Sequence, residues 1–336
     1  MSGYNQNSGY GQALLNAVVQ AVPTFGRVFV VLDPDDTDEE NYQRMQDIFS
    51  PDPNGIIRFN TLLATAETSM ESNNNDVCLL DTNSTHVLSD AWDISTNRKH
   101  FIGMDGGDRL IQQGAKIQYT ATSTDSYVMK NTGVRNSFRN LKFIQASAVA
   151  TALQVAQMGG EGNLYKNCSF VFGVADNLDL TTATEVICGE DSGTFIDCTF
   201  GSDTLLTSGA RKVFTIDQVT ASQEFKSNMF KDCTWMISSS EAGALLIGMA
   251  AAGDILFTNH FIRPSLLASL DSAGGVQLTK AIATANGTTK GTIYVSYPMV
   301  HGIADIGVNG TNNDNLYVFS HVPSAVDITS AQPTTT

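Results

Sequence analysis

A six-residue phrase returns through the middle of this chain, and it decides what the rest can fold into. It reads Phe138-Arg139-Asn140-Leu141-Lys142-Phe143, then Tyr165-Lys166-Asn167-Cys168-Ser169-Phe170. It returns as Phe195-Ile196-Asp197-Cys198-Thr199-Phe200 and as Phe230-Lys231-Asp232-Cys233-Thr234-Trp235. Phe257-Thr258-Asn259-His260-Phe261-Ile262 reads as a weaker fifth copy, with His260 in the slot that holds the cysteines. The copies recur roughly every 27–35 residues. A strand this short cannot bury an apolar face alone, so units at this spacing must stack to share a core. The reading is an all-β chain, a right-handed single-stranded parallel β-helix (solenoid). Strands of successive coils then lie about 4.8 Å apart, and equivalent residues form ladders. The expected repeat core is Phe143, Cys168, Phe170, Cys198, Phe200, Cys233 and Trp235. The Asn/Asp position suits a bend, because its side chain bonds nearby backbone and tolerates unusual φ. An ordinary sandwich would have to share the phrase by chance, and four strong copies favour the solenoid.

Composition narrows the partners. Only 16% of residues are charged, against 42% hydrophobic, and the formal net charge is −15. A binder of nucleic-acid phosphates needs clustered Lys and Arg. Here Arg98-Lys99 and Arg211-Lys212 stand as isolated pairs, so direct nucleic-acid binding is not expected. The five cysteines, Cys78, Cys168, Cys188, Cys198 and Cys233, form no C-x-x-C pair. They are read as buried free thiols rather than as zinc ligands or a disulfide framework. Met1 to Gly11 shows no basic leader, and the apolar run Leu14 to Val22 is too short to cross a membrane. The expectation is synthesis in a host cytoplasm with no membrane partner.

Along the chain, residues 1–25 read as an arm with a short helix at 12–22, stopped by Pro23. Residues 26–270 read as the β-helix with its N-terminal cap. The cap comprises a strand at 26–32, a helix from the acidic run Asp33–Glu40 to Phe49, a strand at 56–59 and a second helix at 61–70. The acidic run suits the N-terminus of its helix. Arg98 to Gly107 is a strand ending in a glycine corner. It is not a nucleotide loop, since no helical pattern follows. Residues 271–336 read as a C-terminal β-segment and polar tail, with strands at 292–297 and 315–320.

The opening order is Gly26-Arg-Val-Phe-Val-Val31, then Asn54-Gly-Ile-Ile-Arg-Phe59, a helix, Asn75-Asp-Val-Cys-Leu-Leu80, and Arg98 to Gly107. With the repeats it resembles the right-handed parallel β-helix virion proteins of tailed bacteriophages, over about residues 26–265. That resemblance implies short helices filling the open end of the solenoid. It also implies either a capsid decoration or stapling protein or a tailspike that binds or cuts glycans.

Glycan hydrolysis requires two carboxylates about 5–10 Å apart. The candidates are Asp176, Asp179, Glu185, Glu190 and Asp191, loosely spaced and far in sequence from any basic residue before Arg211. The histidines, His86, His100, His260, His301 and His321, form neither a triad order nor a His-Glu-x-x-His pattern. No catalytic, cofactor-binding or metal-binding residue is therefore expected. The sequence reading is a non-enzymatic structural virion protein, a capsid decoration (cement) protein that clamps neighbouring subunits of the major capsid protein. Homo-trimerisation is favoured, with a dimer as the other option. The alternative is a tailspike acting on host surface polysaccharide.

Overall fold

The computed structural model describes residues 26–31, 57–60, 63–82, 85–104, 115–120, 125–174, 179–220, 224–250, 255–270, 274–283, 290–307 and 316–319. The chain is a parallel β-helix. One coil shows the pattern: Leu164–Lys166, a bend, Ser169–Phe172, a crossing to Thr184–Cys188, then a second corner into Thr194–Ile196 of the next coil. Strands of successive coils pair in parallel and build sheets of twelve, eight and seven strands. The twelve-stranded sheet (the first sheet below) runs from Ile57–Asn60 to Leu316–Phe319, so strands beyond residue 290 continue the same stack.

Alternation along each strand explains the core. In the first sheet Phe101, Phe138, Tyr165, Phe195, Phe230 and Phe261 fall in one inward register. Their rings stack with centroids 4.3 to 5.4 Å apart. In the second sheet Ile117, Phe143, Phe170, Phe200, Trp235 and Leu266 do the same. In the third, Met129, Ala156, Val186, Phe214, Ile247 and Ile282 close the interior. Stacking at the coil spacing adds ring contact to area burial, roughly 0.5–1.5 kcal/mol per aromatic pair.

The bend between the first and second sheets is a single left-handed residue. Asn140, Asn167, Asp197 and Asp232 occupy it with φ of 55°, 52°, 54° and 56°. These side chains tolerate that region at small cost. Arg263 and Tyr297 hold the same place in the last two coils, with φ of 51° and 56°. The fifth copy therefore needs correction. Phe230 pairs with Phe261, not Phe257, so the true phrase is Phe261-Ile262-Arg263-Pro264-Ser265-Leu266. Phe257 is exposed, Asn259 is buried, and His260 points outward rather than filling the cysteine slot. The search for Asn between aromatics slipped the register because a bend of this kind does not require Asn.

Asn259 belongs instead to an internal ladder with Asn136, Asn163 and Asn228 at the corner between the third and first sheets. Each carboxamide oxygen accepts a backbone N–H of the coil before it. The donors are Lys99 to Asn136 at 2.9 Å, Asn136 to Asn163 at 2.7 Å, Gly193 to Asn228 at 2.7 Å and Asn228 to Asn259 at 3.0 Å. These bonds satisfy buried amides that turn away from the sheets.

Of the expected helices, Leu63–Ser69 is described, and it buries Leu63 and Ala66 in the core that holds Phe29 and Cys78. The helices expected at 12–22 and from Asp38 to Phe49 lie outside the described residues.

Candidate functional site

The carboxylates singled out from the sequence separate once placed. Asp176 lies outside the described residues. Asp179 is exposed, and its Oδ1 accepts the Ser208 N–H at 2.7 Å, which holds its pKa below the usual carboxylate range. Glu185 is buried and ion-paired with Arg211, Oε2 to Nη1 at 2.6 Å. Burial pushes the Glu185 carboxyl up, and the Arg211 charge opposes that push. Asp191 faces outward and pairs with Lys226 at 2.7 Å. Glu190, its neighbour, faces the interior. The basic partners that looked distant in sequence are one coil away in space, so Glu185 and Asp191 serve as structural ion-pair members.

Glu190 has no cation among the described residues. Its Oε1 accepts from Asn163 Nδ2 at 2.5 Å and its Oε2 from the Gly160 N–H at 3.3 Å. It fills the hole in the asparagine ladder where the coil has Gly193. A Cβ on Gly193 would sit 2.3 Å from Glu190 Cγ, so the glycine makes room for the carboxyl. Burial raises the Glu190 pKa to about 8, against the opposing hydrogen bonds from Asn163 and Gly160. Its place in the sealed interior gives it a packing role.

The histidines are dispersed. His86 Nε2 bonds to the Asp81 carbonyl at 2.8 Å, and His260 stacks on Tyr294. His301 is exposed, and His321 lies outside the described residues. Among the described residues no group of three His, Cys, Asp or Glu could hold a metal ion. All five cysteines are free and buried. Cys168, Cys198 and Cys233 stack in one slot, their thiols donating to the carbonyls of Phe138, Tyr165 and Phe195 at 3.4, 3.4 and 3.5 Å. Burial pushes the Cys78, Cys168, Cys188 and Cys233 thiols up, away from the reactive thiolate.

Two surface features were not legible in advance. The first is a groove of about 420 Å³ on the outer face of the eight-stranded sheet. Ile144, Val171 and Met236 form an apolar floor beside Lys142, Ser169 and Thr199. Its wall arises where the pairing of Thr199–Thr207 skips from Ser202 to Leu206, so Asp203, Thr204 and Leu205 loop outward. The second is an apolar surface on the last coils. Tyr294 stacks on His260, Tyr317 and Phe319 at 5.4, 5.2 and 6.0 Å. Tyr297, Met299 and Phe319 are 48%, 57% and 42% exposed at the adjoining corner. Trp235, by contrast, is fully buried. Its indole offers no sugar platform.

No protein-family model matches the chain, and no curated protein matches it. Two solved structures are similar. One is a pectin methylesterase mutant in complex with a hexasaccharide, with a TM-score of 0.35 and 12% identity, covering 89% of this chain and 94% of that one. The other is pectin methylesterase PemA from Erwinia chrysanthemi, with the same score and identity and coverages of 88% and 93%. Neither links the chain to phage virion proteins. Both are enzymes, contrary to the expectation of a protein without enzymatic activity, and that expectation is not carried forward. At that score and identity the likeness withdraws an exclusion and puts no reaction, substrate or site residue in its place.

Proposed function

We propose that the chain is a structural protein of a tailed-phage virion, seated on the capsid surface through its last coils. The supporting observation is the apolar surface of Tyr294, Tyr297, Met299, Tyr317 and Phe319. The rings of a ladder cover one another's faces and present edges outward. Such a surface suits burial against a protein better than stacking on a free sugar, and clustered exposed apolar residues mark interaction sites. The partner in this reading is the major capsid protein. Copies of the chain, as a trimer or dimer, would clamp neighbouring subunits with avidity in place of single-site affinity. The test is co-sedimentation of the full chain with undecorated capsids. Saturable binding by the wild type, lost in a Tyr297→Asp/Met299→Asp variant that remains folded, supports the reading. Binding that ignores those two changes overturns it.

A second reading is favoured by the groove. Its apolar floor beside Lys142, Ser169, Thr199 and Asp203 matches the two-sided chemistry of a saccharide, with C–H faces and hydroxyl edges. In that reading the protein engages host surface polysaccharide. Retention on immobilised polysaccharide that a Val171→Glu variant loses would favour it over capsid seating.

A further inference from the structure

In a chain of net charge −15, several described cations are anchored by carboxylates. Arg27 pairs with Asp76, Lys99 with Glu67, Arg211 with Glu185, Lys226 with Asp191 and Arg263 with Asp232. Arg139 is different. It lies on the outward side of the first sheet, between Ile102 of the coil before and Lys166 of the coil after. Its guanidinium is partly buried, Nε is fully buried, and it makes neither a hydrogen bond nor an ion pair among the described residues. Burial pushes its pKa down. An arginine half out of water with its donors unused costs stability unless an anion meets it.

A second orphan stands beside it. His100 is 8% exposed and lies on the same outward side, since Phe101 and Phe138 between the two positions turn inward. Its Nδ1 shares a 2.8 Å hydrogen bond with Ser137 Oγ, while Nε2 is buried with no partner. Burial, and then the Arg139 charge, hold the His100 pKa at about 4. The ring is therefore neutral near pH 7. With the Ser137 hydroxyl donating to Nδ1, its proton sits on Nε2 as a free donor. Lys166, exposed on the next rung, adds a mobile positive charge.

We infer that Arg139, His100 and Lys166 form a binding site for a compact oxyanion, a carboxylate, phosphate or sulfate group. Arginine supplies a planar fork that grips two oxygens, and lysine a point charge that follows the ligand. The neutral imidazole adds one directed N–H. The inference stands on this face alone and does not depend on the capsid reading. The anion has two sources, a free ion or an acidic side chain of a bound protein.

The test is thermal unfolding of the full chain in sodium phosphate against sodium chloride at matched ionic strength, with a poly-glutamate peptide as a parallel ligand. Phosphate is expected to raise Tm by about 2–4 °C at saturation. The Arg139→Gln variant should lose that rise and Lys166→Gln should reduce it. Arg139→Gln should fold, because the side chain bonds nothing in the described chain. A rise with phosphate alone marks a small-ion site, and a rise with the peptide as well marks a partner's carboxylate. An equal response of wild type and Arg139→Gln overturns the inference, as does the lack of any rise over chloride with either ligand. Should Arg139→Gln fail to fold, the ring signals of His100 in the wild type decide. Movement with phosphate but not chloride supports the site, and no movement overturns it.

Discussion

Replacing Glu190 by Gln should stabilise this protein, and by an amount that depends on pH in a calculable way. The carboxyl is buried, has no cation among the described residues, and has its pKa raised to about 8 by burial, against an ordinary value of 4.5. Between those values the folded state keeps a proton that the unfolded state has released. Unfolding then sheds a proton, so stability falls as pH rises, by about 1.4 kcal/mol per pH unit from this group. Below the lower value both states are protonated, and above the upper one both are ionised, so the slope vanishes at either end. At pH 7 the accumulated loss is on the order of 3 kcal/mol relative to acid conditions. Glutamine is neutral throughout and keeps an oxygen for the Asn163 amide. It loses at most the weak acceptor for the Gly160 N–H. Urea unfolding followed by far-ultraviolet circular dichroism at about pH 5, 6, 7 and 8 should give nearly equal midpoints for the two proteins at the acid end. The curves should separate progressively toward pH 8 as the wild type weakens. Parallel curves, offset or not, would refute the placement of a protonated carboxyl in the asparagine ladder.

Other outcomes follow from the same packing. Removing one member of the buried pair, as in Glu185→Ala, should cost about 3–5 kcal/mol by leaving Arg211 charged and unpaired. The double variant Glu185→Leu/Arg211→Met should recover much of that loss in the same unfolding assay. Asn228→Ala strands the Gly193 N–H inside the coil and should cost about 1–3 kcal/mol, with faster hydrogen exchange at Gly193. Asn167→Gly should change the unfolding midpoint little, because the left-handed φ of 52° is one glycine adopts freely. Phe200→Ala should cost about 3–5 kcal/mol, since it opens a hole between Phe170 and Trp235 in the ladder. None of the cysteines should react with a thiol reagent in the native protein, and all should react after unfolding; labelling of one native thiol would contradict its burial.

The architecture was legible because solenoid packing writes itself into sequence as recurrence. Inward aromatics of the first and second sheets flank a one-residue bend, so one coil's signature is six residues long and independent of the loops that follow. The asparagine ladder carries an equally plain signal, missed in the sequence reading. An Asn stands two residues before the aromatic in Asn136-Ser-Phe138, Asn163-Leu-Tyr165, Asn228-Met-Phe230 and Asn259-His-Phe261. Reading that second mark would have set the register of the last copy and shown Arg263 as the bend residue. It would also have isolated Gly193-Thr-Phe195 as the one coil between Asn136 and Asn259 whose Asn is replaced. That exception points straight to Glu190.

The surface was harder to read for a physical reason. Core positions are constrained by their neighbours above and below, so they repeat. Outward positions answer to solvent or to a partner, so they do not. Residues that meet on the outer face are separated by a whole coil, and coil length varies with the loops. Arg139 and Lys166 are rung neighbours, yet nothing within either phrase distinguishes them from Lys231, which occupies the same position two coils on. What sets Arg139 apart is the burial around it, which encloses its Nε without a hydrogen-bond partner, and that is a property of the stack. The same holds for the acids. Glu190 and Asp191 are adjacent in sequence, but strand alternation sends one into the core and the other to Lys226. A pair that reads as one acidic motif is therefore two unrelated sites. Where outward residues depart from the coil pattern, as at Arg139 with no carboxylate among the described residues and at the exposed Met299 and Phe319, the departure itself locates surfaces that something else can meet.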